Sequence, residues 1–222
     1  MKQTSERLMP AFFILGLLVL WEGAVRIFGI PLYVLPSPVQ VAETLVQELP
    51  VLALHARVTV AEALAGVAIS LVLALVLGIL MDCFPMIRQG LYPVLVVTQT
   101  VPMIVLAPIF IIYMGFGAAP KILTVVLMCF FPVAVSFSDG LSQVDAEYVH
   151  LVRSYGAGRW KTYCLVKIPA AVPALLSGLK VAATYSISGA VVGEWIGSQE
   201  GLGYYLLRVK NGYMLDKVFA CV

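Results

Sequence analysis

The sequence contains few charged residues. Only 12% of its 222 residues are Asp, Glu, Lys or Arg, whereas 61% are hydrophobic. Soluble globular domains carry about 25% charged and about 45–50% apolar residues. A water-soluble fold of this length could not cover its surface with so little charge, so lipid has to solvate much of that surface. The formal net charge of +2 is too small to indicate a nucleic-acid partner.

Side chains that bind metals or nucleotides are also scarce. The four cysteines show neither Cys-x-x-Cys nor Cys/His metal spacing, and the two histidines lie far apart, which gives no metal site. No glycine-rich phosphate loop ending in Lys-Ser or Lys-Thr occurs, so a nucleotide-driven energy source would have to lie on another chain. These absences predict a chain with no catalytic residues, no metal and no cofactor of its own.

Uncharged runs of about 20 residues predict membrane-spanning helices. Five spans are expected, and the apolar residues after Lys217 predict the start of a sixth, whose remainder, the C-terminal span, is expected to be missing from the sequence. The five cover approximately residues 10–29, 63–81, 89–120, 122–137 and 170–192. The predicted fold class is therefore all-α, a polytopic transmembrane helical bundle that forms a single domain over residues 1–222.

Two stretches are predicted to be interrupted by proline. Residues 39–57 mix charged and apolar side chains, which predicts an amphipathic surface helix broken at Pro50. The run 89–120 is too long for one simple helix. Pro102 and Pro108 either kink this run for packing or hold non-helical backbone beside a translocation path. The second interpretation follows because broken backbone at membrane depth survives only against protein or a watery cavity.

The longest polar segment between spans, about residues 139–169, predicts a short helix that projects into water. Asp145 is placed to cap this helix, and Glu147 lies in its first turn, at the positive end of the helix dipole. Gly156 stands where the helix should end. An apolar stripe recurs at helical spacing, made of Tyr148, Leu151, Val152 and Tyr155. The loop is too small to cover this stripe, which therefore indicates a face that docks on a partner.

The charge of this loop predicts its side of the membrane. Four basic residues fall between Arg153 and Lys167. Positive charges favour the cytoplasmic side, so we expect the loop to be cytoplasmic.

The segment Val144–Pro169 resembles the EAA loop of binding-protein-dependent ABC importer permeases. That family has Glu-Ala-Ala, three residues, Gly, nine residues and then Ile-x-Leu-Pro. Here Gly156 takes the place of the glycine, and Val166-Lys167-Ile168-Pro169 takes that of the closing motif. The Glu-Ala-Ala falls on His150-Leu151-Val152, where His150 supplies no fixed negative charge. Further segments agree in order and spacing along nearly the whole chain, among them Leu35-Pro36-Ser37-Pro38, Phe131-Pro132 and Glu194-Trp195-Ile196-Gly197.

The resemblance implies the fold of a type I ABC importer permease in a bacterial-type cytoplasmic membrane. It implies that the loop is a coupling helix seated in a cleft of a cytoplasmic ATP-binding subunit, which holds the ATP and Mg. The other implied partners are a periplasmic or lipid-anchored solute-binding protein and a second permease copy in a homodimer. The implied coupling residues are Asp145, Glu147, His150, Leu151, Val152, Arg153, Ser154, Gly156, Ala157, Arg159 and Pro169.

The branch of this family that the chain resembles imports taurine, alkanesulfonates, nitrate, riboflavin or thiamine-precursor pyrimidines. A pyrimidine or another vitamin precursor is the expected solute. The alternatives are a secondary transporter, which usually buries acidic residues in mid-membrane, and a membrane assembly subunit that transports nothing. Glu194 is expected to be an interfacial carboxylate, or else a gate or substrate contact. Lys180, inside the fifth span, is expected to snorkel or pair at the cytoplasmic end.

Overall fold

The computed structural model describes residues 2–222, with side chains from residue 9 onward apart from residue 11. The regular structure in this range is helical, which confirms the predicted class. The helices are α1 Lys2–Ile27, α2 Pro38–Cys83, α3 Pro85–Thr98, α4 Met103–Met114, α5 Ala118–Ser142, α6 Ala146–Ser154, α7 Arg159–Thr162, a π-helical turn Tyr163–Lys167, α8 Ile168–Glu194, α9 Leu202–Asn211 and α10 Leu215–Cys221.

Several helices have the length and composition of membrane spans. Within the described residues, three helical stretches qualify, namely Pro38–Cys83, Ala118–Ser142 and Arg159–Glu194. The pair α3 and α4 makes a fourth if these two helices, bent by 103° at their junction, count as one broken span. The predicted second, fourth and fifth spans lie within the three long helices, and the count of five stays a prediction.

The predicted interruption at Pro50 was wrong. Pro50 lies inside α2, which continues for 46 residues. A proline removes one backbone donor and displaces the carbonyl four residues earlier. Pro50 and Val46 are both exposed, so that carbonyl can bond to another partner, and one lost hydrogen bond does not end a helix of this length.

The chain forms two compact units. One consists of the first 57 residues together with Glu200–Val222, and the other of Val58–Gln199. In the first unit, Leu52, Tyr205 and Val209 form a small apolar core. Glu48 lies beside this core, where it accepts hydrogen bonds from Lys217 Nζ at 2.5 Å and from the Tyr205 hydroxyl at 3.1 Å.

The second unit is organised around α5, the helix that holds more of its buried residues than any other. α8 packs along α5, and glycines allow the two backbones to approach closely. A Cβ atom on Gly178 would lie 2.8 Å from the Pro132 carbonyl oxygen, and one on Gly193 would lie 3.0 Å from Lys121 Cα. Small residues at such crossings are typical of membrane helices. The face of α8 that turns away from these glycines is exposed.

Candidate functional site

The sequence-predicted loop helix is present as α6. Asp145 precedes its first residue, and the Asp145 carboxylate accepts a hydrogen bond of 2.9 Å from the backbone N–H of Glu147. The side chain of Asp145 therefore satisfies one of the amide groups that a helix leaves free at its start. Glu147 lies in the first turn and Arg153 in the last, which suits both ends of the helix dipole.

The end of α6 is set by Gly156. Its φ angle of +82° lies in the left-handed region, which glycine enters without the clash of a Cβ atom. The Gly156 N–H donates to the Arg153 carbonyl at 2.9 Å, and the Ala157 N–H donates to the Val152 carbonyl at 3.2 Å. This pair of bonds is a Schellman motif. The predicted start and stop of the helix are both confirmed.

The apolar stripe of α6 is exposed. Tyr148, Leu151 and Tyr155 are 62%, 53% and 85% exposed, and Val152 is half-buried. Apolar side chains concentrated on one face of an exposed helix indicate a surface that another molecule covers. This arrangement agrees with the predicted docking face, although its partner role stays a prediction.

The structure gathers most of the predicted coupling residues around α6 and separates one from them. His150, Arg153 and Ser154 are exposed on α6, and Arg159 is exposed as the first residue of α7. Pro169 instead lies beyond the π-helical turn, in the first turn of α8.

The loop is tethered where it leaves α5. Asp139, in the last turn of α5, accepts a hydrogen bond of 3.2 Å from the Tyr92 hydroxyl and one of 3.4 Å from Arg88 Nη2. Both donors belong to α3. The entry into the loop is therefore fixed to a second helix.

A second tether lies where the loop returns to the membrane. Asp82, near the end of α2, accepts a hydrogen bond of 2.6 Å from Lys167 Nζ and another from the Tyr163 hydroxyl. Both donors lie in the π-helical turn, a feature that often marks functional positions in helices. Sequence reasoning missed both tethers, because contacts between residues so distant in the chain leave no periodic signal.

The prolines predicted to mark a translocation path occupy different environments. Pro102 precedes the first residue of α4 in an extended conformation, at the break between α3 and α4, whereas Pro108 lies inside α4. A half-open cavity of about 390 Å³ adjoins this break. It is lined by Gln99, Val101, Met103, Leu127, Met128, Phe131, Pro132, Val181 and Tyr185. Non-helical backbone beside a cavity meets the condition under which a broken span is tolerated.

Glu194 belongs to a buried polar cluster. Only 1% of Glu194 is exposed, and its carboxylate accepts a hydrogen bond of 2.7 Å from the Thr59 hydroxyl. One turn further along α2, Glu62 forms a buried ion pair with Lys121, whose Nζ also donates to Ser198 Oγ at 3.3 Å. The cluster thus ties α2 to the start of α5 and the end of α8. Sequence reasoning missed Glu62 because it directly precedes the uncharged run 63–81.

Comparison with known proteins identifies relatives. Residues 66–222 match the family described as binding-protein-dependent transport system inner membrane component. Over 221 residues the chain is 37% identical to the formylaminopyrimidine transport permease protein ThiX of Halalkalibacterium halodurans, which covers 99% of this chain and 88% of that protein. It is 33% identical over 198 residues to the riboflavin transport system permease protein RibX of Chloroflexus aurantiacus, covering 88% and 74% of the two chains. It is 31% identical over 216 residues to the putative aliphatic sulfonates transport permease protein SsuC of Bacillus subtilis, covering 96% and 76%.

Proposed function

Because this chain belongs to the family of binding-protein-dependent transport system inner membrane components, the permease subunits of ABC importers, we propose that it conducts a vitamin-precursor pyrimidine or a related planar heteroaromatic solute across the bacterial cytoplasmic membrane. A second copy of the chain completes the pathway, as a homodimer. The permease carries no catalytic residue and no cofactor, and ATP with Mg is bound and hydrolysed on cytoplasmic partner subunits.

The observation that carries the coupling part of this proposal is α6. An exposed apolar stripe lies on a short helix whose loop is tethered to α3 through Asp139 and to α2 through Asp82. A docking face on a slack loop would absorb a partner's movement. Tethers at both ends of the loop pass that movement to the membrane helices instead. This is the property that a coupling helix requires.

The solute class is supported by two kinds of observation. Relatives that match most of this chain are named for formylaminopyrimidine and for riboflavin transport, and both compounds contain flat nitrogen heterocycles. The cavity beside the α3–α4 break offers the rings of Phe131 and Tyr185 and the amide of Gln99. Aromatic faces with a few polar groups suit a planar ring that bears hydrogen-bonding atoms.

Site-specific crosslinking tests the coupling assignment. Tyr155→Cys and Tyr113→Cys form a matched pair, since the two tyrosines are 85% and 84% exposed. Each is introduced after the four native cysteines have been replaced by serine. We expect residue 155 to crosslink to the ATP-binding subunit in membranes and residue 113, in α4, not to do so. Equal crosslinking at both positions, or none at residue 155, would reject the assignment.

Uptake experiments test the transport reaction. Cells that contain this chain, its ATP-binding subunit and its solute-binding protein should accumulate labelled formylaminopyrimidine, and removal of the ATP-binding subunit should abolish uptake. Uptake that persists without that subunit would favour a secondary transporter. Normal uptake without this chain would indicate an assembly subunit. An excess of an alkanesulfonate should leave uptake unchanged, whereas competition would redirect the solute assignment to sulfonates.

A further inference from the structure

α8 carries a row of polar side chains on the face that turns away from α5. Ser177, Lys180, Thr184 and Ser188 follow one another at intervals of three or four residues, which places them along one side of the helix. All four are exposed, whereas Gly178, Ala182, Ser186 and Gly189 are buried on the opposite side. We refer to the four exposed residues as the polar stripe.

Lys180 lies at the middle of α8. It is the thirteenth of the 27 residues between Ile168 and Glu194, so about 18 Å of helix separates it from the first residue and about 21 Å from the last, at ~1.5 Å per residue. The hydrocarbon layer is about 30 Å thick, which leaves ~15 Å from its centre to either surface. The four-carbon stem of a lysine is too short to bring the ammonium group to either headgroup layer. This position within α8 favours a role in the pathway over snorkelling or pairing at the cytoplasmic end, which stays a prediction.

The part of the chain whose side chains are described offers no ion-pair partner to this ammonium group. Lys180 Nζ has neither an ion-pair nor a hydrogen-bond partner among the side chains described from residue 9 onward. The hydroxyls of the stripe differ in this respect. Ser177 donates to the Pro173 carbonyl at 3.0 Å and Thr184 to the Lys180 carbonyl at 3.1 Å. These two hydroxyls could face lipid, but an ammonium group could not do so without a large penalty.

The stripe adjoins the cavity described above. Val181 and Tyr185 follow Lys180 and Thr184 directly in the sequence, and both line the cavity. A molecule in the cavity would thus have an aromatic ring and the Gln99 amide on one side and the exposed face of α8 beside it. A second copy packed directly onto the stripe would bring another ammonium group towards Lys180, and like charges repel strongly where little water is present. Water on this face avoids both penalties.

We propose that the polar stripe lines the water-filled translocation pathway, and that Lys180 is the mid-membrane cation that binds a carbonyl or anionic oxygen of the passing solute. The heterocyclic ring of that solute lies in the neighbouring cavity against Tyr185. This inference rests on the proposed function, since it requires that a solute crosses the membrane along this chain. To the proposed function it adds that Lys180 contacts the solute and that Lys180 selects solutes with a carbonyl or anionic oxygen.

Water access is tested by cysteine labelling, which requires no knowledge of the solute. Lys180→Cys, Thr184→Cys and Ala183→Cys are made in the cysteine-free chain within the assembled transporter. Ala183 is the control because it is exposed on the same helix at nearly the same depth but off the stripe. A charged methanethiosulfonate reagent should modify residues 180 and 184 much faster than residue 183. Equal rates at all three positions, or no reaction at 180 and 184, would overturn the pathway assignment.

The role of the cation is tested by substitution. Lys180→Met should lower formylaminopyrimidine uptake about tenfold or more, the effect of losing one charge-assisted hydrogen bond. Lys180→Arg should restore most of this uptake. Both variants, and the control Ala183→Ser, should reach the membrane and assemble with the ATP-binding subunit in wild-type amounts, which a merely structural role for Lys180 would not permit. Wild-type uptake by Lys180→Met would overturn the inference.

The two proposals fail in different ways. If the wild-type transporter shows no ATP-dependent uptake of formylaminopyrimidine, the proposed solute is wrong. The labelling rates at residues 180, 183 and 184 still decide in that case whether the stripe faces water.

Discussion

Lys167 donates a hydrogen bond of 2.6 Å to the carboxylate of Asp82, and this contact joins the π-helical turn to the end of α2. The Tyr163 hydroxyl donates to the same oxygen atom. The side chains of Lys167 and Asp82 are only 20% and 8% exposed, so water screens the pair poorly. The end of the loop, at Tyr163–Lys167, is consequently held to two long helices. It continues directly into α8, and this ion pair binds it to α2.

Replacing Lys167 by methionine should destabilise the protein. The change leaves a buried carboxylate with the Tyr163 hydroxyl as its remaining donor, and we expect the free energy of unfolding to fall by about 1–3 kcal/mol. Denaturation of the purified protein in detergent measures this change. Lys161→Met is the control, because Lys161 is exposed and has no ion pair among the described side chains. Equal stability of the two variants would show that the pair does not hold the loop.

Substitutions of Gly156 should reduce coupling in a graded order. No atom lies within 4 Å of a Cβ placed on Gly156, so strain at this position comes from the positive φ angle alone. Asparagine tolerates this conformation best, alanine less well, and a β-branched valine worst. Uptake should therefore fall in the order Asn, Ala, Val, while the amount of protein in the membrane stays constant.

Gly158→Ala provides the control for this series. Gly158 has a φ angle of −70°, a value open to every residue, and it is equally free of neighbours. Uptake by Gly158→Ala should match that of the wild type. Normal uptake by Gly156→Val would count against a coupling role for α6.

Removing Lys121 from its buried ion pair should lower the stability of the protein more than removing a cation from an exposed ion pair. Lys121→Met leaves the buried Glu62 carboxylate without its cation in the neighbourhood of Glu194, and the expected loss is about 3–5 kcal/mol. Adding Glu62→Gln should recover part of this loss because it removes the uncompensated charge. Arg26→Met breaks the exposed Glu22–Arg26 pair on α1 and should change stability little. Thermal unfolding in detergent distinguishes the variants, and similar effects of Lys121→Met and Arg26→Met would contradict this expectation.

Alanine at Gly178 should separate α5 from α8. Its Cβ atom would lie 2.8 Å from the Pro132 carbonyl oxygen, a backbone atom that cannot move without shifting the helix. We expect a loss of about 1–3 kcal/mol, as for other overpacked positions. Gly90→Ala in α3 meets no atom within 4 Å and should be neutral or stabilise by about 0.5–1 kcal/mol. If the denaturation midpoints of both variants shift in the same direction, the close approach of the α5 and α8 backbones at Gly178 is refuted.

Local features of this chain were predictable from its sequence. The cap at Asp145 and the stop at Gly156 each depend on residues a few positions apart, and both are confirmed. The family resemblance, read from the order of short motifs, is confirmed as well. The cap and the stop are decided by the backbone geometry of a single helical turn, which is why sequence patterns predict them.

Features decided by tertiary context were not predictable. Pro50 was expected to end a helix because local propensity disfavours it, yet the long apolar helix continues past it. The partners of Glu62 and Asp82 lie tens of residues away in the chain, so no spacing indicates them. The interpretation of Lys180 required the bounds of α8, which place this residue at the middle of the helix, and the apolar run alone does not supply them.

The helical path from Arg159 to Glu194 has a mechanical consequence. It runs through α7, the π-helical turn and α8 as one stretch of 36 residues. At ~1.5 Å per residue this stretch is about 50 Å long. A rigid tilt of about 10° at its base would therefore move its far end by roughly 9 Å. This stretch contains the end of the loop, at Tyr163–Lys167, together with Lys180 and Glu194. In the proposed coupling, a small movement at the base would therefore become a displacement as wide as a small solute at the far end.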